Sequence, residues 1–198
     1  MNILAIDTAT DLCSISLCLN NKIVDTLDYE KVISHSKILA PNVNSIIKKN
    51  KFNIGDLDFI ILSIGPGSYS GLRVSSSFSK GLAFGISKQI IPINTLEAMS
   101  FNIQERGNYY VALYSHRDYI FYQEFHNGIA VGEQYCKKYS SLKDIKIYGY
   151  NLSKITNIKS THCQPSSVNL INYFFDNKDS LVKKKLTDIN PIYINKSK

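Results

Sequence analysis

Three glycines and a proline within seven residues, Gly65-Pro66-Gly67-Ser68-Tyr69-Ser70-Gly71, stand between a strand-like run and a helix-like run and constrain this chain more than any other segment. Before them, Phe59-Ile60-Ile61-Leu62 is short, apolar and β-branched, the pattern of a core strand. After them, Gly71, Val74, Phe78, Leu82 and Gly85 recur at helical spacing. A strand that feeds a helix through glycines leaves free backbone N–H groups able to cradle an anion. The same glycines also let a second backbone come close. Neither GxGxxG nor GxxxxGK[ST] is present, because Ser70 stands where the last glycine of the first motif belongs. Two readings follow: an unusual anion cradle or a tight docking turn.

The helix that follows is rich in small residues: Ser75, Ser76, Ser77, Ser79, Gly81, Ala83 and Gly85. An interior glycine costs a helix about 1 kcal/mol relative to alanine. Such a composition needs a packing reason, either within the chain or against another helix.

Upstream, Asn2–Thr8, Cys13–Leu19 and Lys22–Tyr29 form a three-stranded antiparallel opening, with Thr8-Ala9-Thr10-Asp11 as turn chemistry. Ser34 or Ser36 caps a helix whose Ile38, Leu39, Val43, Ile46 and Ile47 share a face, with Pro41 near its first turn. Gln89–Ile93 is a closing strand, and Thr95 caps a short helix. The texture then changes, since 11 of the 13 tyrosines lie beyond residue 100. A boundary near residue 95 divides the chain into residues 1–95 and 96–198. In the second part, Tyr109–Tyr114 and Tyr119–Phe125 pair around His116-Arg117-Asp118. Asp144–Tyr148 is a strand, Ser166–Phe175 a helix, and Pro191–Ile194 an extended end.

The chain has 198 residues, 44% of them hydrophobic, enough for one good core or two small ones. No apolar run approaches the ~18 residues of a membrane span, and the first apolar stretch contains Asp7 with no basic region before it. The expectation is a cytoplasmic protein. Cys13, Cys18, Cys136 and Cys163 form no CxxC pair. The histidines offer no metal-binding pair: Leu39 lies four residues after His35, and there is no HExxH, which removes the basis for metalloprotease chemistry. Net charge is +2 over residues 1–95 and +5 over 96–198. A basic half attracts polyanions, but lysine supplies 20 of the 23 basic residues, and Lys183-Lys184-Lys185 reads as a solvated run.

The order of three antiparallel strands, helix, strand, helix and strand matches the half-domain of the actin-like (ribonuclease H-like) ATPase superfamily. There, an early aspartate and its turn sit beside the nucleotide phosphates, a position held here by Asp7-Thr8-Ala9-Thr10. Three segments together resemble one family, the TsaB (YeaZ) proteins of bacterial tRNA modification. They are Ile3–Thr10, the His35-Ser36-Lys37-Ile38-Leu39-Ala40-Pro41 helix and the Gly65–Arg73 signature. Thr95-Leu96-Glu97-Ala98 and Pro191–Ile194 match more weakly. Ser115-His116-Arg117 stands where the family commonly has Asp-Ala-Arg, and Tyr193-Ile194-Asn195 where it has Tyr-Leu-Arg.

The resemblance implies an α/β, actin-like fold of two lobes with the second shortened. It also implies a subunit without catalytic residues or a metal centre of its own. Its implied partners are a TsaD-like catalytic subunit and a TsaE-like ATPase, which supply ATP and metal chemistry, and a homodimer forms in isolation. The complex transfers threonylcarbamoyl from its adenylate to the adenosine beside the tRNA anticodon, and tRNA is met through the complex. The expected partner face comprises His35, Leu39, Val43, Leu72, Arg73, Ser76, Ser77, Phe78 and Lys80. The expected anion or nucleotide loop comprises Asp7, Thr8, Thr10, Gly65, Gly67 and Ser68. The alternative is an autonomous ATPase or phosphotransferase of the same superfamily, gripping nucleotide between Asp7–Thr10 and a second loop near Gly149.

Overall fold

A computed structural model describes residues 1–30, 34–142, 144–156, 158–182 and 189–194. The Lys183–Lys185 run and Asn195 lie outside them. Strands β1 (Ile3–Asp7), β2 (Leu12–Leu19) and β3 (Lys22–Glu30) form the antiparallel opening expected from their alternation. Helix α1 (His35–Lys49), strand β4 (Phe59–Ser63), helix α2 (Tyr69–Ile86) and strand β5 (Gln89–Ile93) follow. Pro41 is the seventh residue of α1, beyond the first turn where it was expected, so the helix forgoes the bond that an N–H there would make to the Lys37 carbonyl. The sheet order is β3-β2-β1-β4-β5, with β4 and β5 parallel to β1. Every residue of β1 is buried, as a central strand covered on both faces requires.

Alternate residues of this sheet feed two cores. Leu4, Ile6, Ile60 and Leu62 meet α1 and α2 through Leu39, Val43, Ile46 and Ala83. Ile3, Ala5, Ile61 and Ile91 meet Leu170, Ile171 and Phe174. The latter three belong to α4 (Ser167–Val182), which packs on the first sheet. A helix from residues 96–198 thus packs on the sheet built from residues 1–95. An apolar stripe at i, i+1 and i+4 must be covered, and the open face of the first sheet is where it is covered. Ser167 fixes the contact: its N–H donates to Ser14 Oγ at 2.9 Å, and its hydroxyl lies 2.7 Å from that of Ser16. The chain's last described stretch also returns to the first lobe, where Ile192 N–H donates to the Ile64 carbonyl.

Helix α3 (Thr95–Ser100) leads to strands β6 (Asn108–His116), β7 (Tyr119–His126), β8 (Ile129–Lys138), β9 (Lys146–Tyr150) and β10 (Thr161–His162). Asn94 caps α3, its side chain accepting from Leu96 and Glu97 N–H. Thr95, the expected cap, is buried and bonded to Ser63. The second sheet is ordered β10-β9-β6-β7-β8, with β6, β7 and β8 antiparallel and β9 and β10 parallel to β6. It repeats the topology of the first sheet with no repeat in residue identity.

The lobes differ in their crossovers. Single-turn 3₁₀ segments at Tyr139–Ser141 and Leu152–Lys154 occupy the places of α1 and α2. Tyr110, Tyr122, Leu152 and Ile155 close that face, with Tyr114, Tyr135 and Tyr139 packed around them. Broad tyrosine rings cover the sheet where helices are missing, which accounts for the tyrosine-rich second half.

Candidate functional site

The glycine loop and the β1–β2 turn are built into each other. A Cβ at Gly67 would be driven into the carbonyl of Ala9, and one at Gly71 into the carbonyl of Thr8. Hydrogen bonds seal both approaches: Ser68 N–H donates to Ala9 O at 2.6 Å, and Thr8 Oγ1 donates to Gly71 O at 2.8 Å. Gly65, at φ +104°, turns the chain so that its carbonyl accepts from Thr95 N–H. Ser68 caps α2, its hydroxyl accepting from Gly71 N–H. Of the two readings of the loop, this geometry is that of the tight docking turn.

Asp7 is 2% exposed. Its Oδ1 accepts from Ala9 N–H at 2.8 Å, and burial pushes its carboxyl up to about 6 against the lowering effects of Ala9 and Ser63. Thr8 is buried as well. Of the six expected anion-loop residues, Thr10, Gly67 and Ser68 line a cleft of about 420 Å³ between the lobes, while Asp7, Thr8 and Gly65 do not.

The cleft's opposite wall is Tyr114, Ser115, Phe121, Tyr150, Asn151 and Lys154. Asp11 spans the gap. Its Oδ1 accepts from Asn151 Nδ2 at 2.8 Å, and its Oδ2 lies 3.5 Å from Lys154 Nζ. Burial, aided by Asp11, pushes the Tyr150 hydroxyl up to about 12. A carboxylate clasped to the cleft's lysine leaves little positive potential for a phosphate. Among the described residues no three His, Cys, Asp or Glu converge as metal ligands.

The outer face of α1 and α2 is the second candidate. Arg73, Ser77 and Lys80 point to solvent, but Leu39, Val43 and Leu72 are spent on this chain's own core and Ser76 is buried. Of the expected partner face, these four side chains are therefore turned inward in this chain. Phe78 is half-buried against the same core. His35 ties the start of α1 to the turn, its Nε2 donating to Thr10 O at 2.8 Å.

The exposed apolar residue of this face is Phe84, 90% exposed. Beside it a Cβ at Gly81 or Gly85 would meet nothing within 4 Å, so these two glycines, unlike the buried Ser75, Ser76, Ser79 and Ala83, are not explained by packing inside the chain. Residues 73, 77, 80 and 84 follow i, i+4, i+7 and i+11, off the buried stripe of Leu72, Ser75, Ser79 and Ala83. Residue spacing alone could have found Phe84.

Residues 31–185 match the family model described as TsaD, tRNA N6-adenosine threonylcarbamoyltransferase. The chain is 27% identical over 127 residues to the tRNA threonylcarbamoyladenosine biosynthesis protein TsaB of Haemophilus influenzae, a match covering 63% of this chain and 53% of that protein. It spans about half the length of the curated relatives it matches. The solved structure of YeaZ from Pseudomonas aeruginosa superposes with a TM-score of 0.77 at 17% identity, covering 98% of this chain and 99% of that one. The activator of 2-hydroxyisocaproyl-CoA dehydratase from Clostridium difficile shares the two-lobed frame, with a TM-score of 0.52 at 8% identity over 93% of this chain and 98% of that one. The architecture is the actin-like α/β fold. A family model over most of the length, TsaB proteins among the relatives and the shared fold lead to one conclusion: the chain belongs to the TsaB (YeaZ) family.

Proposed function

We propose that this chain is a non-catalytic subunit of a tRNA threonylcarbamoyl transferase. It docks on a TsaD-like catalytic subunit, acts with a TsaE-like ATPase and pairs with itself in isolation, in the cytoplasm. In that complex the threonylcarbamoyl group passes from its adenylate to the adenosine beside the anticodon, with ATP and metal handled by the partners. The observation that carries this reading is the outer face of α2, where Phe84 stands exposed beside two glycines that leave room for another helix. Large exposed apolar side chains framed by small residues favour helix-to-helix docking.

The cleft supports a role other than autonomous ATP hydrolysis. Asp11 adds a carboxylate to the cleft lining and is held there by Asn151, and Asp7 is turned into its own loop.

Phe84→Asp is expected to weaken association with the TsaD-like subunit at least tenfold, since a charge would be buried at the contact. Its melting temperature should stay within about 2 °C of the parent, because the residue touches little of its own chain. Isothermal titration calorimetry and thermal melting check the two halves. Unchanged affinity would remove Phe84 from the interface.

A further inference from the structure

Arg73 sits near the N-terminal end of α2, about 16 Å along the helix from Phe84 at 1.5 Å per residue. Its guanidinium carbon lies 3.9 Å from the centroid of the Tyr69 ring and 5.9 Å from that of Tyr193. Its Nε donates to the Tyr193 hydroxyl at 3.2 Å, and the two rings are 5.0 Å apart. The three side chains are exposed, Tyr69 at 56% and Tyr193 at 46%.

No carboxylate among the described residues pairs with this guanidinium. Neither α1 nor α2 contains a single aspartate or glutamate, while together they carry Lys37, Lys48, Lys49, Arg73 and Lys80. Of these, Lys49 is taken by Asp25, and the cleft's own carboxylate, Asp11, is taken by Asn151 and Lys154. A guanidinium held against one ring and anchored by another offers its outward face for stacking and its remaining N–H groups to an anion. Bases stack on aromatic rings and on arginine planes, and adjacent cations take up the phosphates.

We propose that Tyr69, Arg73 and Tyr193 form a stacking site for an unpaired base of an RNA strand, with the positive face of α1 and α2 drawing in its backbone. The site shares the outer stripe of α2 with Phe84, about 16 Å away, so it requires a chain whose outer face is not covered by a partner or a second copy. The chemistry recognised, a purine ring with a neighbouring phosphate, is shared by free nucleotides, and the strand is favoured by the spread of cations along both helices.

The test is fluorescence anisotropy of a labelled octamer of oligoadenylate titrated at low salt with the full chain carrying Phe84→Asp, which keeps a second copy off the outer face of α2. Arg73→Lys and Tyr69→Ala serve as variants and unlabelled AMP and polyglutamate as competitors. Arg73→Lys keeps the charge and removes the plane, so it is expected to weaken binding about tenfold while leaving the salt dependence unchanged. Tyr69→Ala, which removes the supporting ring, should do the same; circular dichroism verifies folding, and Arg73→Lys stands alone if Tyr69→Ala misfolds. AMP should compete only at far higher concentration than the octamer. Equal affinity for the parent and Arg73→Lys would overturn the proposal. So would displacement by polyglutamate as effective as by RNA, binding of AMP without the octamer, or no binding of the octamer.

Discussion

Replacing Gly71 with alanine is expected to cost about 3 kcal/mol or more, or to prevent folding at 37 °C, although the change adds one methyl group to a helix. In an exposed helix the same substitution normally stabilises by up to about 1 kcal/mol. At Gly71 the Cβ would enter the Thr8 carbonyl, and relief would pull α2 from the β1–β2 turn. That movement breaks the Thr8 Oγ1 to Gly71 O bond and exposes the core around Leu72. Gly81→Ala is the internal control: the same residue type ten positions on, with nothing within 4 Å of the new Cβ. Urea denaturation of the two variants should move in opposite directions. Similar midpoints for both would show that the loop is not clamped as described.

Asp7→Asn is expected to stabilise the protein at neutral pH. Burial holds the folded-state carboxyl at about 6, above its ordinary 3.8. Between those values the folded state keeps a proton that the unfolded chain has released, so stability falls as pH rises. The contribution is fully present below about pH 4 and lost once the pH passes 6. At pH 7.5 the ionised carboxylate therefore costs about 3 kcal/mol, from 1.36 kcal/mol per unit. Asparagine has the shape of the protonated acid without the charge. The variant should melt about 6–12 °C above the parent at pH 7.5, with most of the gap closed at pH 4.5. An equal difference at both pH values would mean that Asp7 does not titrate in this range.

Much of the first lobe was legible because its signals are local. Alternation marked β2, the apolar stripe marked α1, and the glycines announced the close approach that Gly67 and Gly71 make to Ala9 and Thr8. The second lobe was less so. The edge strand β8 reads Ile-Ala-Val-Gly-Glu-Gln-Tyr, and Gly132, at φ +67°, interrupts any two-residue period. The stripe of α4 announced an amphipathic helix but not the sheet it would cover, since that choice is made by a surface some 150 residues earlier, at Ser14 and Ser16.

The same limit applies to the site. Asp11 reads as turn chemistry, and only the fold brings Asn151 and Lys154 to it. Leu39, Val43 and Leu72 were apolar and suitably spaced, but one sequence does not say which apolar stripe a helix turns inward. The residue left outside was Phe84, and with Gly81 and Gly85 it moves the docking face toward the C-terminal half of α2.

Size-exclusion chromatography with light scattering, on this chain alone and mixed with the TsaD protein of its own organism, tests the subunit reading most directly. The expected result is a dimer of the chain alone that gives way to a one-to-one complex on mixing, with Phe84→Asp failing to make the exchange. Separate elution of the two proteins with and without nucleotide would contradict it.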